Sequence, residues 1–225
     1  MTTARPRARD LGIDLLGTPG TANAITDVPG LEVGYATLID GEGALTVGRG
    51  PVRTGVTAIL PRGREGVGRP CAAGRFSLNG NGEMTGSAWI DEVGEVALPI
   101  TISSTHAVGA CHTGVIEWIG EHHPVLARQW LLPVCAETWD GYLNDINGGH
   151  VTPAVVRQAL DAVETNVRIA DPGGRVDARF HTAVEREHER GTAVEARGPG
   201  RAVRGARGRL PDRQQRAPLS AEVYR

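Results

Sequence analysis

Three carboxylates, Glu137, Asp140 and Asp145, lie close together in the stretch ETWDGYLNDINGGH, interleaved with Trp139, Tyr142, Asn144 and Asn147. Carboxylates so placed divide acid and base roles when their surroundings push their pKa values apart. A tyrosine hydroxyl or an asparagine amide beside them can donate to a developing oxyanion. The other reading of the stretch is a polar rim whose tryptophan plugs the core.

A second segment, Asn79-Gly80-Asn81-Gly82-Glu83-Met84-Thr85-Gly86, is rich in residues that accept positive φ cheaply, which makes it a turn signal. It is either an ordinary tight turn or a site-forming loop whose amides cradle an anion ahead of a helix. Its spacing is not the dinucleotide fingerprint, and the chain has no lysine to complete a P-loop. His106, His112, His122 and His123, with Cys111, raise a metal reading. No His-Glu-x-x-His run is present, however, and neighbouring residues 111 and 112 face about 100° apart on a helix, so the histidines read as helix-surface or helix-terminal. No metal and no cofactor is expected.

These residues need elements to hold them. Leu31–Ile39 and Val52–Leu60 are short, β-branched and separated by a glycine-rich loop, and the spacing predicts two strands. A third strand is expected near Ala72–Leu78, a short helix over Thr85–Val93, and a strand over Glu95–Ser103 in spite of Pro99. Val108, Cys111, Val115, Ile116 and Ile119 form one apolar face of a helix from about Thr105 to His123. Leu131–Ala136 reads as a buried strand. Thr152-Pro153 opens a last helix, with a hydroxyl able to cap and a proline at the first helical position, and Val155, Val156, Ala159, Leu160 and Val163 as its stripe. Strands mixed with helices point to an α/β or α+β layered domain, with strand directions open.

Composition divides the chain. Met1–Glu164 holds 11 arginines against 18 acidic residues, a formal charge of −7, whereas Thr165–Arg225 holds 13 against 8, or +5. The second part has almost no consecutive apolar residues and cannot build a core alone. Two regions are therefore expected: a domain over 1–164 and an arginine-rich tail over 165–225. The overall charge of −2 argues against a dedicated nucleic-acid binder. The tail's acidic residues, and its having only Phe180 and Tyr224 as aromatics, make a poor stacking platform. Cys71, Cys111 and Cys135 read as buried small hydrophobes in a reducing compartment. No stretch approaches the roughly 18 apolar residues that span a bilayer, so no membrane partner and a cytoplasmic location are expected.

Four blocks, NAITDVPGLEVGYATL (23–38), GPVRTGVTAILPRG (50–63), LNGNGEMTG (78–86) and AETWDGYLNDINGGHV (136–151), resemble the P1 or S58 peptidases. These are the DmpA-type L-aminopeptidase/D-esterases and β-peptidyl aminopeptidases, and the likeness runs from about Arg5 to Glu164. The resemblance implies a precursor cut before a serine into α and β chains, assembled as multiples of the pair. The new N-terminal serine would attack a peptide, amide or ester and carry its N-terminal residue as an acyl-enzyme. It also implies an α/β/β/α sandwich, here only in part.

By motif, Asn79, Asn81, Glu83, Thr85, Glu137 and Asp145 would shape the pocket. Trp139 stands where some members have an oxyanion-stabilising tyrosine. It keeps a ring and an N–H but has no hydroxyl, which leaves Tyr142 and Asn144 as the other catalytic candidates.

Beyond Glu164 the family's glycine-rich stretch and serine-led chain are not found. Arginine- and glycine-rich text stands instead, as a reading-frame change in GC-rich DNA would produce. Ser220, the tail's one serine, would head only a six-residue peptide. Ser77, Ser87, Ser103 and Ser104 show no nucleophile-elbow sequence. The expectation is an aminopeptidase-family hydrolase whose activity needs a β-chain partner, or alternatively a noncatalytic remnant or interaction protein.

Overall fold

The computed structural model describes residues 8–15, 17–77 and 80–165, and the backbone of 192–196. Its main sheet has the order β1-β2-β5-β6, built from β1 (Glu32–Asp40), β2 (Val52–Leu60), β5 (Ile100–Ser104) and β6 (Val134–Thr138). β1 pairs antiparallel with β2, β2 antiparallel with β5, and β5 parallel with β6. A smaller sheet, β4-β3-β7, joins β3 (Cys71–Ser77) to β4 (Glu95–Val96) on one edge and β7 (Thr192–Ala196) on the other. The helices are α1 (Ser87–Val93), α2 (Val108–His122) and α3 (Pro153–Asp161).

The strand expected over Glu95–Ser103 is two strands. Pro99 lacks an N–H and sits between them, so β4 turns to pair with Cys71 and Ala72 while β5 joins the main sheet. Likewise β6 begins only after Pro133, later than the apolar run suggested, and continues into Glu137 and Thr138. The helix expected from Thr105 starts with a single 3-10 turn, Thr105–Ala107, before α2 proper. Thr152 makes no side-chain cap to α3. Its extended backbone and Pro153 at the start open the helix without one.

α2 and α3 cover one face of the main sheet. Ala36, Val56, Ala58 and Leu60 from the strands meet Cys111, Val115, Trp118, Ile119, Val156, Ala159 and Leu160 in one buried cluster. Trp118 rather than Trp139 plugs this core: it is fully buried, its indole N–H donates to the Asp161 carboxylate at 2.8 Å, and the Arg64 guanidinium lies over its ring at 5.6 Å. Ile116, placed on the apolar face by spacing, is instead exposed. α3 approaches β1 so closely that a Cβ on Gly34 would run into the Ala159 carbonyl oxygen and lie 2.8 Å from the Val163 nitrogen. These are backbone atoms that cannot step aside.

The other face carries a smaller cluster of Cys71, Met84, Ile90, Val96, Ile100 and Val134. Here Phe76 is 70% exposed, and Trp89 and Trp130 meet edge to face near the surface, with ring centroids 4.9 Å apart. Among the described residues no helix is long and apolar enough to cross a membrane.

All three cysteines are buried thiols. Burial pushes the Cys111 thiol up to about 12, with the Cys135 thiol adding to the effect and the hydroxyls of Thr101 and Ser103 opposing it.

Candidate functional site

The site is assembled where the parallel pair β5/β6 ends. The register sets Ser103 beside Glu137 and Ser104 beside Thr138, so the chain leaves the sheet at Trp139. From there residues 139–145 run back toward the start of β2, fastened at three points. Asp140 Oδ1 accepts from the Ser104 hydroxyl at 3.1 Å and from the Asn144 amide at 3.2 Å. Asn144 Oδ1 accepts the Arg53 backbone N–H at 2.9 Å. The Asp145 backbone N–H donates to the Pro51 carbonyl at 2.9 Å.

Asn144 and Asp145 are both buried, at 2% and 5% exposure, so these polar groups answer each other away from water. The segment therefore holds a fixed path through side-chain bonds rather than through regular structure.

The Asp145 carboxylate reaches further. Its Oδ2 accepts the Gly48 N–H at 2.7 Å and faces His150 Nε2 at 2.9 Å. The bond from His150 is the main cause, and the amides of Gly48 and Gly50 help, in holding this carboxyl below the usual carboxylate range against the opposing effect of burial.

The glycine-rich segment meets the same corner. Met84 bridges to Ala136, the Thr85 N–H donates to the Cys135 carbonyl at 3.0 Å, and the Thr85 hydroxyl donates to the Pro133 carbonyl at 2.7 Å while accepting the Cys135 N–H at 2.9 Å. Thr85 thus satisfies the open edge of β6. The Glu83 N–H donates to Glu137 Oε1 at 3.1 Å. Glu137 Oε2 is buried and has no hydrogen-bond partner among the described residues. A carboxylate oxygen in that state is an acceptor waiting for a donor.

Of the residues expected to form the site, Glu83, Thr85, Glu137, Asn144 and Asp145 are brought to this corner, and Asn81 precedes it on the exposed turn. Asn79 lies outside the described residues. Both polar atoms of the Asn144 amide are hydrogen-bonded, Oδ1 to the Arg53 N–H and Nδ2 to Asp140. Trp139 is 57% exposed and Tyr142 81% exposed, so the rim reading holds in its polarity but not in its tryptophan plug. Sequence reasoning passed over Ser104, Arg53, Gly48 and His150 as members of this network. Only His150, five residues after Asp145, left a trace in the sequence. The others come from β2, β5 and the loop before β2, far away along the chain.

Comparison with known proteins gives the family and the fold. The profile of peptidase family S58 matches residues 23–178, more than two thirds of the chain and past Glu164. The chain belongs to peptidase family S58. It is 52% identical over 160 residues to a β-peptidyl aminopeptidase, BapA, of Sphingosinicella microcystinivorans, a match covering 71% of this chain and 39% of that protein. Among solved structures, it is similar to the L-aminopeptidase D-Ala-esterase/amidase of Ochrobactrum anthropi, described as a variant of the Ntn-hydrolase fold. The TM-score there is 0.65 at 45% identity, over 72% of this chain and 45% of that one. It is also similar to a Burkholderia β-aminopeptidase, with a TM-score of 0.63 at 46% identity, over 71% and 44% of the two chains. The S58 chain described here has an α/β fold related to that sandwich, and spans about two fifths of the length of its curated relative.

Proposed function

We propose that this S58 chain supplies the substrate-positioning part of an aminopeptidase site, and that it does not turn over substrate by itself. The observation that carries the reading is Glu137. One carboxylate oxygen is tied to the Glu83 N–H and the other is buried without a partner among the described residues, beside the exposed Trp139 at the mouth of the β5/β6 pair. An ammonium group at a substrate's N-terminus is the donor that such an oxygen lacks. The substrates are peptides, amides or esters with a free N-terminus, cleaved through an acyl-enzyme on a serine supplied by a β-chain partner, in an oligomer built from such pairs.

The described hydroxyls support the division of labour. Ser103 is buried and donates to the Gly55 carbonyl at 2.7 Å, and Ser104 is committed to Asp140. Neither has a histidine base. Trp139, at the family's tyrosine position, offers an N–H in place of a hydroxyl, and Tyr142 faces water. The family match passing Glu164 and the pairing of β7 with β3 link residues beyond 164 to the S58 unit. We take 1–164 as the peptidase-like domain and 165–225 as an arginine-rich region, with a change of reading frame placed after residue 178, where the family match ends. Ser220 lies outside the described residues.

A second reading, a noncatalytic remnant that binds another protein, draws on the exposed Phe76, Trp89, Trp130 and Leu132 on the thinly covered side of the sheet.

The deciding experiment is to assay the purified 225-residue chain on leucine p-nitroanilide. We expect no release of nitroaniline, with leucinamide nonetheless binding to the wild type and not to Glu137→Gln. Release that depends on one of the chain's own serines would overturn the proposed inactivity, and binding unchanged by Glu137→Gln would overturn the ammonium site. Translation of the DNA beyond the codon for Glu164 in the other two frames tests the origin of the tail.

A further inference from the structure

The loop between β1 and β2, residues 41–51, has no obvious reason to be fixed. It is exposed nearly throughout and presents Leu45 and Val47 to water at 49% and 68% exposure. Yet it is fastened from both ends. Arg53 donates to the carbonyls of Asp40 and Gly41 at 2.8 Å each, and the buried Asp145 carboxylate takes the Gly48 N–H.

Burying a carboxylate is costly unless it is fully answered, and here His150 answers it. Gly148 makes that possible: a Cβ there would collide with both His150 Nε2 and Asp145 Oδ2. Glycine at 148, histidine at 150 and aspartate at 145 are thus three parts of one fastening.

The fastening joins two exposed apolar segments, Leu45–Val47 and Trp139–Leu143. The distance from Glu137 to the end of the loop follows from the register. Glu137 lies beside Ser103 and Ser103 beside Val56, and from Val56 back to Pro51 is five residues of strand direction, roughly 17 Å. That span suits several residues of an extended peptide.

We infer that Asp145 is a positioning residue: with His150 it staples the 41–51 loop to the 139–145 segment, so that Leu45 and Val47 contact the part of a peptide substrate beyond its first residue. The inference rests on the aminopeptidase reading for its ligand but not for its staple. A one-residue ligand anchored at Glu137 stops short of the loop. A longer peptide reaches it.

The test uses the full chain, labelled for NMR, with two probes: leucinamide and the free-amine pentapeptide Leu-Ala-Leu-Ala-Leu. In the wild type both probes shift the Trp139 indole resonance, and only the pentapeptide shifts the methyls of Leu45 and Val47. Asp145→Ala raises the exchange rate of the Gly48 amide about tenfold or more and abolishes the loop methyl shifts while leaving that of Trp139. His150→Ala, at a partly exposed position, does the same to a smaller extent. His150→Gln, which keeps a donor near Nε2, restores protection and loop shifts together.

Unchanged Gly48 exchange in both alanine variants overturns the staple. Loop methyls that ignore the pentapeptide while Trp139 responds overturn the peptide contact alone. If neither probe moves Trp139, the aminopeptidase reading fails and the peptide contact with it, while the Gly48 exchange still decides the staple.

Discussion

The two faces of the main sheet are built differently. On the helix side, α3 closes over β1 and β2, with backbone touching backbone at Gly34, α2 lies over β5 and β6, and Trp118 is fully buried between them. On the other side, β3, β4 and α1 cover only part of the sheet, and the aromatic residues Phe76, Trp89 and Trp130 face water. The contrast teaches that the helix face is a finished core held by packing. The opposite face is less completely covered, and its aromatic residues remain exposed.

Substitutions on the two faces separate them. The largest effect should come from Trp118→Ala, which empties the fully buried site and breaks the bond to Asp161; about 3–5 kcal/mol of stability should go, read from the urea midpoint. Gly34→Ala should follow, at about 1–3 kcal/mol, because the atoms its Cβ meets are α3 backbone.

On the open face the same kinds of change should be mild. Trp89→Ala should cost about 1 kcal/mol through its edge-to-face partner Trp130, and Gly74→Ala, where an added Cβ meets nothing within 4 Å, about 0.5 kcal/mol or less. Equal costs on the two faces would remove the distinction.

Chemistry should divide along the same line. The raised Cys111 thiol, with Cys135 beside it in the helix-side core, should resist iodoacetamide in the native chain at pH 8 and react on unfolding. The sign is that of a group whose folded pKa is raised. Its contribution to stability is full below the ordinary thiol range and is lost as pH climbs toward about 12. Asp145 works in the opposite sense. Its carboxyl is held below the ordinary range, so its contribution is present above about pH 4 and is lost as pH falls through the lowered value. A urea series at falling pH should therefore show Asp145→Asn converging on the wild type in acid. A gap independent of pH would show that the charge has no part in it.

Much of the fold could be read directly. The alternation of β-branched residues in β1 and β2, and the stripe of Val156, Ala159 and Leu160 in α3, gave elements in nearly the right places. Pro99 misled because a local pattern cannot say that the chain changes sheets there. Trp118 was overlooked because an apolar face counted by spacing does not rank its members by depth. At the site, clustering in sequence pointed to 137–145, and this was enough to gather Glu137, Asp140, Asn144 and Asp145. It could not supply Ser104, Arg53 or Gly48, which lie dozens of residues away and reach the loop only because β2 and β5 are neighbours in the sheet.

By itself, the sequence determined the element types, the two-part composition and membership of peptidase family S58, since periodicity, charge and motif blocks are properties of the chain in one dimension. Only the tertiary structure decided which tryptophan fills the core and which faces water, that Asn144 ties the 139–145 segment to β2, and that among the described residues one Glu137 oxygen is left without a donor. Those outcomes depend on what lies on the far side of each group, and that is set by how strands distant in sequence pair and how closely a helix packs upon them.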